Sequence, residues 1–165
     1  MSVGISLEEL LAWNDHAAQH WYEHLDANPA LLQVQCDIGG TANVQEFVRH
    51  IWGVELRWAQ RLAGLPVMSK DSAPRGPLDA LFNLHRQAIE IFRNLLAAPE
   101  ASWSEVYAVD IDRIPEDLRK PTRRKVAAHA LLHSQRHYAQ LATLARQAGF
   151  PATFGGDLLF SPVLR

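Results

Sequence analysis

The run Ala128-His129-Ala130-Leu131-Leu132-His133-Ser134-Gln135-Arg136-His137, set within residues 123–149, decides how the rest of the chain is read. Its three histidines recur at every fourth position of a segment with helical periodicity. Residues four apart lie about 40° around a helix axis and roughly 6 Å along it, so neighbours in such a ladder share a face. His133 and His137 fall on the stripe that Val126, Ala130, Leu141 and Leu144 also occupy, the side expected to turn inward. His129 lies roughly 80° from the centre of that stripe, on its shoulder. Imidazoles directed into a core need partners, because an unsatisfied buried polar group is costly. A divalent metal ion is an economical partner, since neutral imidazole nitrogen is the commonest protein ligand for metals.

Outward from this stretch, the chain reads as further amphipathic helices. Ser6-Leu7-Glu8-Glu9 has the form of a capping box and opens a helix expected over residues 6–26, which Asn28-Pro29 ends. Residues 30–34 carry at most one more turn before Gly39-Gly40. Asn43-Val44-Gln45-Glu46 is a second box-like start, followed by a stripe of Phe47, Ile51, Val54, Trp58 and Leu62, with Gly64 and Pro66 as stop signals. Pro77 suits the first position of a third helix, built on Leu78, Leu81, Phe82, Ile89 and Phe92 and closed by Pro99. The helical period fails between residues 102 and 120, where Val106, Tyr107, Val109 and Ile111 suggest extended chain. Thr122 then caps the last helix, and Gly149 and Pro151 end it. The tail, with Leu158, Leu159, Phe160, Val163 and Leu164, is too apolar to be left in water and is expected to pack on the helices or on a partner chain. The expected fold is all-α: one domain over residues 1–165, a four-helix bundle with a long crossover connection before the last helix.

Bulk properties narrow the function classes. At 165 residues with a formal charge of −2, the chain has no broadly basic surface, which argues against nucleic acid as a partner. The cluster Arg119, Lys120, Arg123, Arg124 and Lys125 reads as a solvated helix start. A single cysteine, Cys36, excludes an internal disulfide and fits a reducing compartment. With no signal-peptide pattern at the N-terminus and no apolar window of about 20 residues, a cytoplasmic protein without a membrane span is expected.

A histidine pair on one helix is not yet a metal site, because zinc-type centres use three or four protein ligands. His129 and His137 are separated by about 12 Å along the helix, too far to share an ion at roughly 2.1 Å from each. The choice lies between His133 with His137 and His129 with His133, and the inward stripe favours the former. His50, on a separate helix beside Phe47 and Val54, is the best third donor. The first helix holds a comparable ladder, His16, His20 and His24, but with Leu7 and Leu25 facing the core this ladder turns outward and is expected to be solvated. His85 receives no assignment from its spacing.

These residues carry a resemblance to a known family. Leu11-Ala12-Trp13-Asn14, then His50 followed by Glu55, Trp58, Arg61-Leu62 and Gly64, then His129, His133 and His137 leading through Gln140 to Gly149, together resemble the DinB family, also described as DinB/YfiT-like metalloenzymes. Many relatives carry Arg-Gly where this chain has Tyr138-Ala139. The resemblance implies a bundle in which His50, His133 and His137 hold one divalent ion per chain, zinc or nickel. It also implies a homodimer, and an activity on a small molecule of the thiol S-transferase or hydrolase type, with a low-molecular-weight thiol as cosubstrate. Glu46 and Glu55 are candidates for orienting the ligating histidines, which commonly pass their other N–H to a carboxylate. The alternative is a non-catalytic metal-binding or dimeric structural bundle of a stress response.

Overall fold

A computed structural model describes residues 4–109 and 114–163. The described residues are mostly helical, with one small antiparallel hairpin. Helix α1 spans Leu7–Ala27, strands β1 and β2 span Gln35–Ile38 and Thr41–Asn43, and helix α2 spans Val44–Leu62. Helix α3 spans Leu78–Leu96, the short α4 Glu100–Ser104, and α5 Arg123–Gln147. None of these helices is long and apolar enough to cross a membrane.

The helix ends follow from local chemistry. The Glu9 N–H donates to Ser6 Oγ at 3.1 Å while the Ser6 N–H donates to the Glu9 carboxylate at 2.7 Å, so two otherwise orphaned donors are satisfied reciprocally. Asn43 caps α2 by accepting the Glu46 N–H at 2.9 Å, and Thr122 caps α5 by accepting that of Lys125 at 3.2 Å. Helices α2 and α5 stop alike. Gly64 (φ 68°) and Gly149 (φ 86°) take the left-handed conformation in which a side chain would clash with the backbone. The N–H groups of the following residues then return to carbonyls five positions earlier, Leu65 to Gln60 at 2.9 Å and Phe150 to Ala145 at 2.8 Å.

Around the core the order is α1, α3, α2, α5, each packed on the next and α5 closing on α1. Trp21, Phe47, Trp52, Phe92, Leu131 and Leu141 fill the space between them. Burying such side chains supplies about 1.5–3 kcal/mol each, the main favourable contribution to folding. The indole N–H of Trp52 is satisfied inside this core by Tyr138 Oη at 2.9 Å, which ties α2 to α5.

A polar chain also crosses the core. Gln135 donates to Asn14 Oδ1 at 3.1 Å, and the Asn14 amide donates to one oxygen of Glu55. The other Glu55 oxygen lies 3.1 Å from Nδ1 of His85, whose Nε2 lies 3.1 Å from Asp15, itself paired with Arg93 at 2.8 Å. Asn14, Glu55 and His85 are fully buried. Desolvation alone would discharge His85, but the two flanking carboxylates outweigh it and raise its pKa to about 9. Both ring nitrogens then donate, one to each carboxylate, and α1, α2, α3 and α5 are tied by one network.

The structure departs from the sequence-based expectations in three places. The segment between α1 and α2 folds into a 3-10 turn (Pro29–Gln33) and the β1–β2 hairpin, with Gly39 and Gly40 at positive φ in its turn. The segment expected to be extended begins with α4 and then pairs its backbone with the approach to α5: the Tyr107 N–H donates to Pro121 O at 2.7 Å and that of Val109 to Arg119 O at 2.9 Å. Ile111, part of the same expectation, lies outside the described residues, as does Leu164 of the tail. The outward ladder of α1 is not bare. The chain after α5 folds back over it, so that Phe154 stacks on His20 at 5.0 Å and His24 donates to the Phe150 carbonyl at 3.0 Å. Beyond Phe154, Leu159 and Phe160 remain exposed.

Candidate metal centre

Helix α5 presents His133 and His137 one turn apart, and α2 presents His50 from across the core. The ring centroids lie 4.3 Å apart for His133 and His137, 5.6 Å for His50 and His133, and 5.2 Å for His50 and His137. One nitrogen from each ring falls within 4.8 Å of the others, a convergence of metal-ligating groups that requires α2 and α5 to pack together. His129 is not part of it: its ring is exposed, 6.1 Å from that of His133, with its edge toward Trp58.

The arrangement fits a divalent ion. In a tetrahedral site with bonds of about 2.1 Å, ligand nitrogens stand roughly 3.4 Å apart. Nε2 of His133 and Nε2 of His137 lie 3.1 Å apart. Nδ1 of His137 faces the amide oxygen of Gln140 at 2.6 Å, one turn further along α5. A carbonyl oxygen only accepts, so the proton of His137 belongs on Nδ1 and its Nε2 offers a lone pair. Protonation is disfavoured at both α5 histidines. Burial, aided by the neighbouring His137 and His50 rings, holds the pKa of His133 at about 3, and burial also lowers that of His137 against the pull of Gln140. The buried Phe47 ring packs T-shaped with that of His137 at 5.2 Å.

The two carboxylates proposed to orient these rings are engaged elsewhere. Glu46 turns back to accept the Ala42 N–H at 2.9 Å, one residue ahead of the Asn43 cap that opens α2. Glu55 points to the opposite side of α2, into the polar chain with Asn14 and His85. Gln140 was the less obvious partner. Its spacing of three from His137 was visible in the sequence, and Gln140 stands among the residues that carry the resemblance, but that pattern attached no role to it. Cys36 is half-buried on β1, its thiol 3.5 Å from the Thr41 hydroxyl, and is not among the converging groups.

The sequence model of the DinB family matches residues 1–154, nearly the whole chain. The chain belongs to the DinB family. The matched region includes the hairpin, all five helices and the three converging histidines, so the candidate centre lies within the part shared with this family. No curated protein sequence matches the chain closely enough to lend it a specific activity.

Proposed function

We propose that this DinB-family chain is a metal-dependent enzyme acting on a small molecule, with one divalent ion, zinc or nickel, held by His50, His133 and His137. The four long helices form the bundle that brings those ligands together. The observation that carries the reading is the convergence of three imidazole nitrogens from two helices, two of them on rings kept neutral by burial. An ion held by neutral nitrogens alone keeps its full charge and supplies a Lewis acid that activates a bound water or thiol near neutral pH. Within the chain, Gln140 fixes the tautomer of His137, and the buried Phe47 packs against its ring. The reaction is of the thiol S-transferase or hydrolase type, with a low-molecular-weight thiol as cosubstrate. The protein works in the cytoplasm as a homodimer, for which the exposed Leu118, Leu132, Leu159 and Phe160 offer apolar surface.

The test is turnover. Zinc- and nickel-loaded protein is assayed for transfer of low-molecular-weight thiols to small electrophiles and for hydrolysis of small esters and amides. Activity that disappears on chelation, returns on reloading and is absent in His133→Ala supports the enzyme reading. If the ion raises the melting temperature but no reaction is ever accelerated, the centre is structural.

A further inference from the structure

Beside His50 lies a cleft of about 210 Å³, walled by α2, the turn of the β1–β2 hairpin and the 70–75 segment. Its charges are unbalanced: Arg49, Arg57, Lys70 and Arg75 face Glu46 and Asp71. Glu46 already accepts the Ala42 N–H. Arg49 is also occupied, donating to the carbonyls of Lys70 at 2.7 Å, Ala73 at 2.9 Å and Pro74 at 3.0 Å, which fastens the 70–74 segment over the cleft. Lys70 and Arg75 are exposed at the rim.

Arg57 differs from the other three. It is half-buried, and among the described residues its guanidinium makes no hydrogen bond and no ion pair. Helix side chains lean toward the N-terminus, so Arg57 folds back one turn over Gly53, in the direction of His50. A Cβ on Gly53 would stand 3.3 Å from Nη1 of Arg57, so the missing side chain makes room for this path. Burial lowers the pKa of Arg57, and the charges of Arg61 and Arg49 lower it further. A guanidinium desolvated among like charges is stabilised by an anion supplied from outside.

We infer that the cleft receives the carboxylate of a small-molecule ligand, paired with the planar fork of Arg57, while the rest of the ligand extends toward His50. This rests on the metal reading above and names the substrate class that the centre would serve. A carboxylate fits better than a phosphate, because the planar fork of the half-buried Arg57 matches its two oxygens, Arg49 spends its donors on the backbone, and Lys70 and Arg75 stand exposed at the rim rather than inside the cleft.

The experiment is calorimetric titration of zinc-loaded protein with 3-mercaptopropionate and with 2-mercaptoethanol, thiols that differ in the carboxylate. Wild type is expected to bind the acid about tenfold tighter, the size of one charge-assisted pair. In Arg57→Gln that preference should fall to within about twofold, with Arg57→Lys intermediate because it retains charge without the fork. Comparing ratios between variants cancels the intrinsic difference between the two thiols. Zinc stoichiometry is measured first on each protein. A chain that takes up no zinc overturns the metal reading and this inference with it. A fully loaded protein that binds both thiols alike, or keeps its preference in Arg57→Gln, overturns the carboxylate cleft alone.

Discussion

In metal-free protein, raising the pH from about 6.5 to about 9.5 should remove the proton that holds the polar chain across the core together. His85 donates to Glu55 and to Asp15 only while both its nitrogens are protonated. Its pKa is about 9 in the folded protein against an ordinary 6.5, so the folded state binds this proton more tightly than the unfolded chain does. The resulting stabilisation is complete below about pH 6.5 and disappears as the pH rises through about 9. The difference corresponds to roughly 3 kcal/mol, a sizeable part of the total stability of a domain of this size. Urea unfolding monitored by tryptophan fluorescence at intervals across that range, in a chelating buffer, measures the loss. Other groups titrate in the same window, so the comparison is with His85→Gln, which lacks the proton. Wild type should lose about 3 kcal/mol more than the variant over the range. Parallel pH profiles for the two proteins, or a His85 resonance that titrates near pH 6.5, would refute the reasoning.

The acid side carries the opposite sign. The folded protein disfavours a proton on His133, whose pKa is about 3, so the unfolded chain takes up protons that the native state refuses as the pH falls below about 6.5. The urea midpoint of metal-free protein should therefore drop toward acid, less steeply in His133→Ala, and equal slopes would count against the burial described for this ring. Tyr138→Phe strands the buried Trp52 N–H, which now donates to the phenol, and should cost about 1–3 kcal/mol in urea unfolding with the metal-binding residues intact; a neutral effect would mean that the indole finds another acceptor.

How far the sequence carried depends on whether a feature is local. The caps at Ser6, Asn43 and Thr122 and the glycine stops at Gly64 and Gly149 involve residues within five positions of one another, and they were readable one helix at a time. The inward turn of His133 and His137 followed from the stripe on α5, and His50 was reachable because Phe47 and Val54 orient α2. The hairpin was missed because strands of four and three residues give too little alternation, and Gly39-Gly40 reads as a break whether or not strands flank it. His85 was ambiguous because its meaning depends on Asp15 and Glu55, 70 and 30 residues away, and no periodicity connects them. The α1 ladder was misjudged for a related reason: helical facing describes one helix, whereas its cover is the Phe150–Phe154 stretch that follows α5. Glu55, a candidate for orienting the ligating histidines, meets His85 instead, because side chains five apart on a helix, such as His50 and Glu55, lie on different faces.

The histidine ladder on α1 also supplies the control for the claim on which the rest depends. Its His16 and His20 nitrogens lie 3.1 Å apart, the same separation as in His133 and His137, and half-buried like them in part. Among the described residues, the difference is a third donor from another helix, which the α5 pair has in His50. The decisive measurement is metal content by elemental analysis, with zinc affinity by competition titration, on wild type, His50→Ala, His133→Ala, His137→Ala and the double variant His16→Ala/His20→Ala. One tightly bound ion per chain should survive loss of the α1 pair and be lost or greatly weakened in each of the other three. Full zinc content in His50→Ala, or its loss in the α1 double variant, would contradict a centre built from α2 and α5.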